Sequence, residues 1–221
     1  MKSLEYIKNI LQVTEFSLRV TTNYLTYILI QNLITPLAMT TLFYLTAVAT
    51  GGTISIGRTS IIFITMVIGS TTQLITTIVS NDLIPATRDL LTSLAGDVRV
   101  FIISEGIRNM LMTILPQTII ISLITQSFDL VIFVLLAYLA TYSIATFIGT
   151  TVSDPMAAQT VGFLLYLFFS MLAPIYLTTT EWIWRIIPLS ILNENFRDIL
   201  QVLYTILLSL ILLYFALCKK M

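Results

Sequence analysis

Charges along this chain fall in short intervals, and six long stretches between them carry none: 20–57, 59–81, 109–128, 130–153, 155–180 and 199–218. A helix needs about 20 apolar residues to cross roughly 30 Å of hydrocarbon, so each stretch is long enough for one membrane span. Apolar residues run continuously through the stretches rather than alternating. That pattern favours α-helices, which satisfy their own backbone hydrogen bonds in lipid, over the strands of a barrel. The expectation is an all-α membrane protein, a single transmembrane domain over 1–221 with spans near 24–47, 60–80, 108–125, 130–150, 156–176 and 199–218.

Residues 2–19 follow a different rule. Glu5, Lys8, Gln12, Glu15 and Arg19 recur at spacings of three and four, with Leu4, Ile7, Leu11 and Leu18 opposite them. This is the period of an amphipathic helix. An ordinary solvated helix would show the same period. A helix leading directly into a span is better placed in the membrane interface, with its leucine face among the headgroups. The four charged residues interrupt any apolar core, so no cleavable signal peptide is expected.

Composition narrows the function classes. The chain has 221 residues, 57% hydrophobic and 10% charged, with a mean hydropathy of +0.97, and six spans leave no room for a soluble catalytic domain. Its formal net charge is zero and no basic patch is interleaved with aromatics, so nucleic acid is not an expected partner. There is no histidine and one cysteine, which excludes an internal disulfide and any His- or Cys-rich metal site. That cysteine, Cys218 beside Lys219 and Lys220, is either a small apolar residue or an acylation site.

Orientation follows from the basic residues. With the amino terminus cytoplasmic, eight basic residues lie inside and three, Arg58, Arg185 and Arg197, lie outside. The positive-inside rule therefore predicts a multi-pass protein of the cell membrane with both termini cytoplasmic and Trp182 and Trp184 at the outer headgroup level.

No charge sits at mid-span, where an ion-coupled carrier would keep one, and the chain lacks the histidine, paired carboxylates or activated nucleophile of an intramembrane enzyme. Hydroxyls are abundant there: Thr40, Thr41, Ser70, Thr71, Thr72, Thr76 and Thr77 could serve helix packing or form a mildly polar pathway wall. The segment 52–59 has the spacing of a phosphate-binding loop with Arg58 in place of lysine. It joins two spans instead of a strand and a helix, so it reads as a turn and not as a nucleotide site.

The longest inner connection, 81–107, interleaves charges with Leu90, Leu91 and Leu94. Thr87 could cap a helix of about two turns ending at Gly96, and Asp97 could cap the next. Such a helix is either a docking knob for a soluble partner or a plain link between spans.

Taken in order, the amphipathic first helix, Pro36 in the first span, the inner pattern Asp82 then Thr87-Arg88-Asp89-Leu90-Leu91, and the late series Pro174, Trp182, Pro188 and Arg197 resemble the permeases of the ABC type-2 transporter family. The likeness extends over essentially the whole chain. It departs in the inner loop, where Asp82-Leu83-Ile84-Pro85-Ala86-Thr87 replaces the usual Glu-x-x-Gly-Thr and Ala95-Gly96 replaces a common proline. The resemblance implies a dimer with a second permease copy, identical or not, and separate cytoplasmic ABC ATPase subunits that bind ATP and magnesium. This chain would hold no cofactor and perform no ATP chemistry. It implies export of a lipid, glycan, peptide or drug-like substrate. It makes Thr87, Arg88, Asp89, Leu90, Leu91 and Leu94 part of a coupling helix, Leu4, Ile7, Leu11 and Leu18 the apolar face of a connecting helix, and 178–198 a short re-entrant or helical outer gate containing Trp182, Pro188, Glu194 and Arg197. Arg197 is expected to bond to Glu194, to a helix-end carbonyl or across the dimer, with a simple solvated cap of the sixth span as the alternative. In the fifth span Phe163, Tyr166, Phe168 and Phe169 either face a pathway or pack. A non-transporting scaffold that anchors a cytoplasmic protein through the same inner loop is the other reading.

Overall fold

A computed structural model of the chain describes residues 2–22, 33–49, 55–152 and 154–218. All regular structure among them is helical: α1 (Lys2–Thr22), α2 (Thr35–Ala49), α3 (Ile56–Asp82), α4 (Pro85–Ala95), α5 (Val98–Asn109), α6 (Leu115–Thr125), α7 (Leu130–Thr151), α8 (Pro155–Tyr176) and α9 (Ile199–Cys218). A π turn, Met110–Ile114, joins α5 to α6, and three 3-10 turns, Trp182–Ile186, Pro188–Leu192 and Glu194–Phe196, join α8 to α9. Five helical rods are long and apolar enough to cross a membrane: Gly57–Asp82, Val98–Thr125, Leu130–Thr151, Pro155–Tyr176 and Ile199–Cys218. The chain is a helical membrane protein. The expected first span falls partly outside the described residues, and α2, its described part, covers 15 residues, about 22 Å at 1.5 Å per residue.

The span expected at 108–125 belongs to a rod that begins ten residues earlier, at Val98. Pro116 has no N–H to offer the carbonyl four residues back, a deficit that ordinarily kinks a helix. The π turn immediately before it takes up the mismatch, so the rod continues. Its first turns, which carry Arg99, Glu105 and Arg108, are covered by α1.

At the centre is α3, packed against α2, α6, α7 and α8, while α9 lies on the other side of α7. Its core residues Ile64, Val67, Ile68, Ile75 and Val79 are almost fully buried. Small residues let its neighbours approach: a Cβ at Gly149 would sit 2.8 Å from Val79 Cβ, and one at Gly162 would sit 3.1 Å from Thr76 Cβ. The hydroxyls of Thr65, Ser70, Thr71, Thr72, Thr76 and Thr77 donate to carbonyls three or four residues back on α3. On α2, Thr40 and Thr41 do the same to Pro36 and Leu37. These hydroxyls are thus satisfied within their own helices and available as small packing residues, whereas Ser80 Oγ on α3, Ser122 Oγ on α6 and Ser170 Oγ on α8 are buried without a hydrogen-bond partner among the described residues.

Candidate functional site at the two membrane edges

The inner edge is taken as the end where α3 and α7 finish. There α4 begins at Pro85, which suits a first helical position because its missing N–H needs no partner. Thr87 consequently lies inside the helix, and the N-cap is Ile84 with no side-chain bond. The helix stops at Gly96, whose φ of 76° is left-handed and whose N–H donates to Thr92 O at 2.8 Å. Asp97 caps α5 by accepting from Arg99 N at 2.9 Å. On α4 Leu90 and Leu94 are 59% and 70% exposed, Leu91 is half-buried, and Arg88 and Asp89 make a loose pair at 3.7 Å. Among the described residues nothing covers the open sides of this leucine pair.

Beside it α1 packs along α5. Ser17 Oγ donates to Glu105 Oε1 at 2.7 Å, Arg108 reaches Ser17 Oγ at 3.3 Å and Glu105 at 2.5 Å, and Ser104 Oγ donates to Ile10 O at 3.2 Å. The Glu105 and Arg108 side chains are only 14% and 16% exposed, so each neutralises the other's burial cost. The packed side of α1 carries Ile10, Thr14 and Ser17, roughly a quarter-turn to a third of a turn from Leu4, Ile7 and Leu11, which are 77%, 57% and 62% exposed. Leu18 is half-buried. The helix is therefore held by one face while its leucine stripe stays open beside the polar row Glu5, Lys8, Gln12, Glu15 and Arg19. A groove of about 430 Å³ lies between α1 and the α4–α5 corner, lined in part by Gln12, Phe16, Leu94 and Phe101.

Two tyrosines clamp α7 to α5: Tyr138 Oη donates to Gly106 O at 2.7 Å and Tyr142 Oη to Ile102 O at 2.9 Å. Gly106 permits this, because a Cβ there would lie 2.6 Å from the Tyr142 ring.

At the outer edge, so named from the expected topology, the 3-10 turns form a bonded plug. Pro188, Leu189, Ser190, Ile191 and Leu192 are buried. Asn193 Nδ2 donates to Tyr176 O at 2.9 Å and Thr179 O at 2.8 Å, supplying carbonyls at the end of α8 with a donor. Asp198 caps α9 by accepting from Gln201 N at 2.9 Å, and its other oxygen takes Arg185 at 2.6 Å. The Gln201 N–H first and then Arg185 hold the Asp198 carboxyl below the usual range. Gln201 Nε2 in turn donates to Arg185 O at 3.0 Å and Ser190 Oγ at 3.2 Å.

Arg197 pairs with Asp129 at 3.3 Å, donates to Leu192 O at 3.1 Å and lies 4.9 Å from the centre of the Phe133 ring. Its carboxylate partner is thus at the start of α7 and not Glu194, which is exposed. The Arg197 side chain is 11% exposed. Ser127, bonded to Asp129 at 2.6 Å, is the main cause that holds the Asp129 carboxyl low, with Arg197 adding to it. Of the other residues expected at this edge, Pro188 is buried in the plug and Trp182 is 75% exposed.

The plug borders a cavity of about 640 Å³ whose polar lining includes Ser55, Arg58, Glu194, Asn195 and Arg197, and whose apolar lining includes Ile61, Ile124, Leu130 and Leu177. The aromatics of α8 divide: Tyr166 and Phe169 are buried, Tyr166 over Gly69, while Phe163 and Phe168 are 44% and 47% exposed.

Sequence reading did not single out Ser17, Asp129, Tyr138, Tyr142, Asn193 or Gln201. A faint signal existed for two of them, since an amide in or beside an apolar run requires a partner. No family model, curated protein or solved structure matches the chain.

Proposed function

We propose that this chain is the membrane-spanning permease subunit of an ATP-binding-cassette exporter, working as a dimer with separate cytoplasmic ATPase subunits. The observation that carries the reading is α4: a two-span connection folded into a short helix, started by Pro85 and stopped by Gly96, with Leu90 and Leu94 uncovered. Two leucines exposed together on a short helix with defined ends suit a docking surface better than a plain link. Movement of ATPase subunits on closing around ATP would push on α4. Only Gly96 and Asp97 separate α4 from α5, and α5, clamped to α7 by Tyr138 and Tyr142, supplies a path toward the outer edge. The substrate is a lipid, glycan, peptide or drug-like molecule, and the exposed Phe163 and Phe168 are the α8 aromatics placed to meet it or the second permease copy.

Replacing Leu90, Leu91 and Leu94 together by Asp tests the assignment. Each buried leucine contributes about 1.5–3 kcal/mol to a contact, so the triple variant should insert and fold yet fail to co-purify with its ATPase. Undiminished co-purification of the ATPase would refute it. The scaffold reading predicts capture of a partner through the same leucines without ATPase activity in the assembled complex, so an ATPase assay on the purified assembly separates the two.

A further inference from the structure

The outer cavity contains two charged groups that the fold does not use. Arg197 is committed to Asp129 and Leu192 O, and Arg185 to Asp198. Among the described residues Arg58 and Glu194 form no ion pair, although both line the same cavity. Each is exposed. They come from different elements, Arg58 from the first turn of α3 and Glu194 from the last 3-10 turn, so one half-open cavity presents a cation and a carboxylate that no ion pair among the described residues engages.

The rest of the lining has two characters. Ser55 and Asn195 add polar groups beside those charges, whereas Ile61, one turn deeper in α3, joins Ile124, Leu130 and Leu177 from the ends of three other segments. All of these helices end or begin here, at the level where a bilayer changes from hydrocarbon to headgroup. A ligand that fits both halves has a head of both signs and an apolar tail.

We propose that this cavity binds a zwitterionic amphiphile of the phosphatidylethanolamine type, with the phosphate at Arg58, the ammonium at Glu194 and the first carbons of the chain along Ile61, Ile124 and Leu177. An anion alone would leave Glu194 facing it unfavourably, and a soluble zwitterion would leave the apolar lining without contact. The site stands on the cavity and does not depend on the transport reading.

The test uses the full chain purified in dodecyl maltoside, with radiolabelled lysophosphatidylethanolamine as probe. Lysophosphatidylglycerol of the same chain length, glycerophosphoethanolamine and glycylglycine serve as competitors. Wild type should bind the probe saturably and release it to none of the three as readily as to unlabelled lysophosphatidylethanolamine. E194Q should weaken probe binding about tenfold while leaving lysophosphatidylglycerol binding as tight or tighter, and R58Q should weaken both by a similar factor. I61W, which fills the apolar side and keeps both charges, should also abolish binding, and it serves should a charge variant misfold. Wild-type affinity in E194Q and R58Q would overturn the proposal. So would equal displacement by the bare headgroup or the dipeptide, which would make the ligand a free zwitterion, or equal affinity for lysophosphatidylglycerol, which would make it an anion.

Discussion

A methyl group at Gly106 would meet the ring of Tyr142 at 2.6 Å, in a place where that ring is buried and its hydroxyl is bonded to Ile102 O. Neither side can yield without breaking the α5–α7 clamp. Gly106→Ala should therefore cost about 1–3 kcal/mol as overpacking, whereas Tyr142→Phe, which removes one hydrogen bond and keeps the ring, should cost about 1 kcal/mol. Combining Gly106→Ala with Tyr142→Leu should recover part of the first loss, a coupling that a double-mutant cycle of unfolding in detergent measures directly. Additive losses would mean that the two residues do not touch. At this scale the sequence was least informative, because a glycine in a helical stretch looks the same whether it faces lipid or a tyrosine 36 positions away.

Among the elements, α1 shows how a periodic pattern underdetermines packing. Its repeat of charges and leucines was plain, but a third face, with Ile10, Thr14 and Ser17, is the one that meets α5. The leucine stripe is consequently left for another environment, and headgroups suit it. Nitroxide labels at residues 4, 7 and 11 in a bilayer should be relaxed by oxygen and shielded from an aqueous nickel complex, with the reverse at 5, 8 and 12. Labels at 4, 7 and 11 that tumble freely in water would show that the helix does not lie on the membrane. The rod Val98–Thr125 makes a related point: the sequence offered Asp97 as the cap of a further helix but started the span at 108, after the charges at Arg99, Glu105 and Arg108, yet pairing and cover by α1 let that helix and the span form one rod.

At the level of the whole molecule, Arg197 joins parts that are far apart in sequence: the start of α7 through Asp129, the outer plug through Leu192 O and the approach to α9. Removing it should loosen the outer end without altering α4 or α5. On the transport reading, Arg197→Ala should raise basal ATPase activity of the assembled complex, since less energy is needed to open outward, and leave substrate preference unchanged. Normal basal activity with lost stimulation by one substrate class would identify Arg197 as a recognition residue instead.

Residue order alone determined that this is a helical membrane protein, where its charges cluster, that 81–107 holds a short helix ending at Gly96, and that the arginine in the last connection either takes a partner or caps the final span in water. Those conclusions rest on local physics: the width of a bilayer, the helical period, the left-handed freedom of glycine and the cost of an unpaired charge. Tertiary structure alone decided the rest. Which carboxylate meets Arg197, which α8 aromatics are buried, which face of α1 packs and which charges are left over in the outer cavity all depend on elements 50 or more residues apart in several cases. Side-chain spacing along one helix does not encode the azimuth of its neighbours, and only closure of the bundle around α3 sets it.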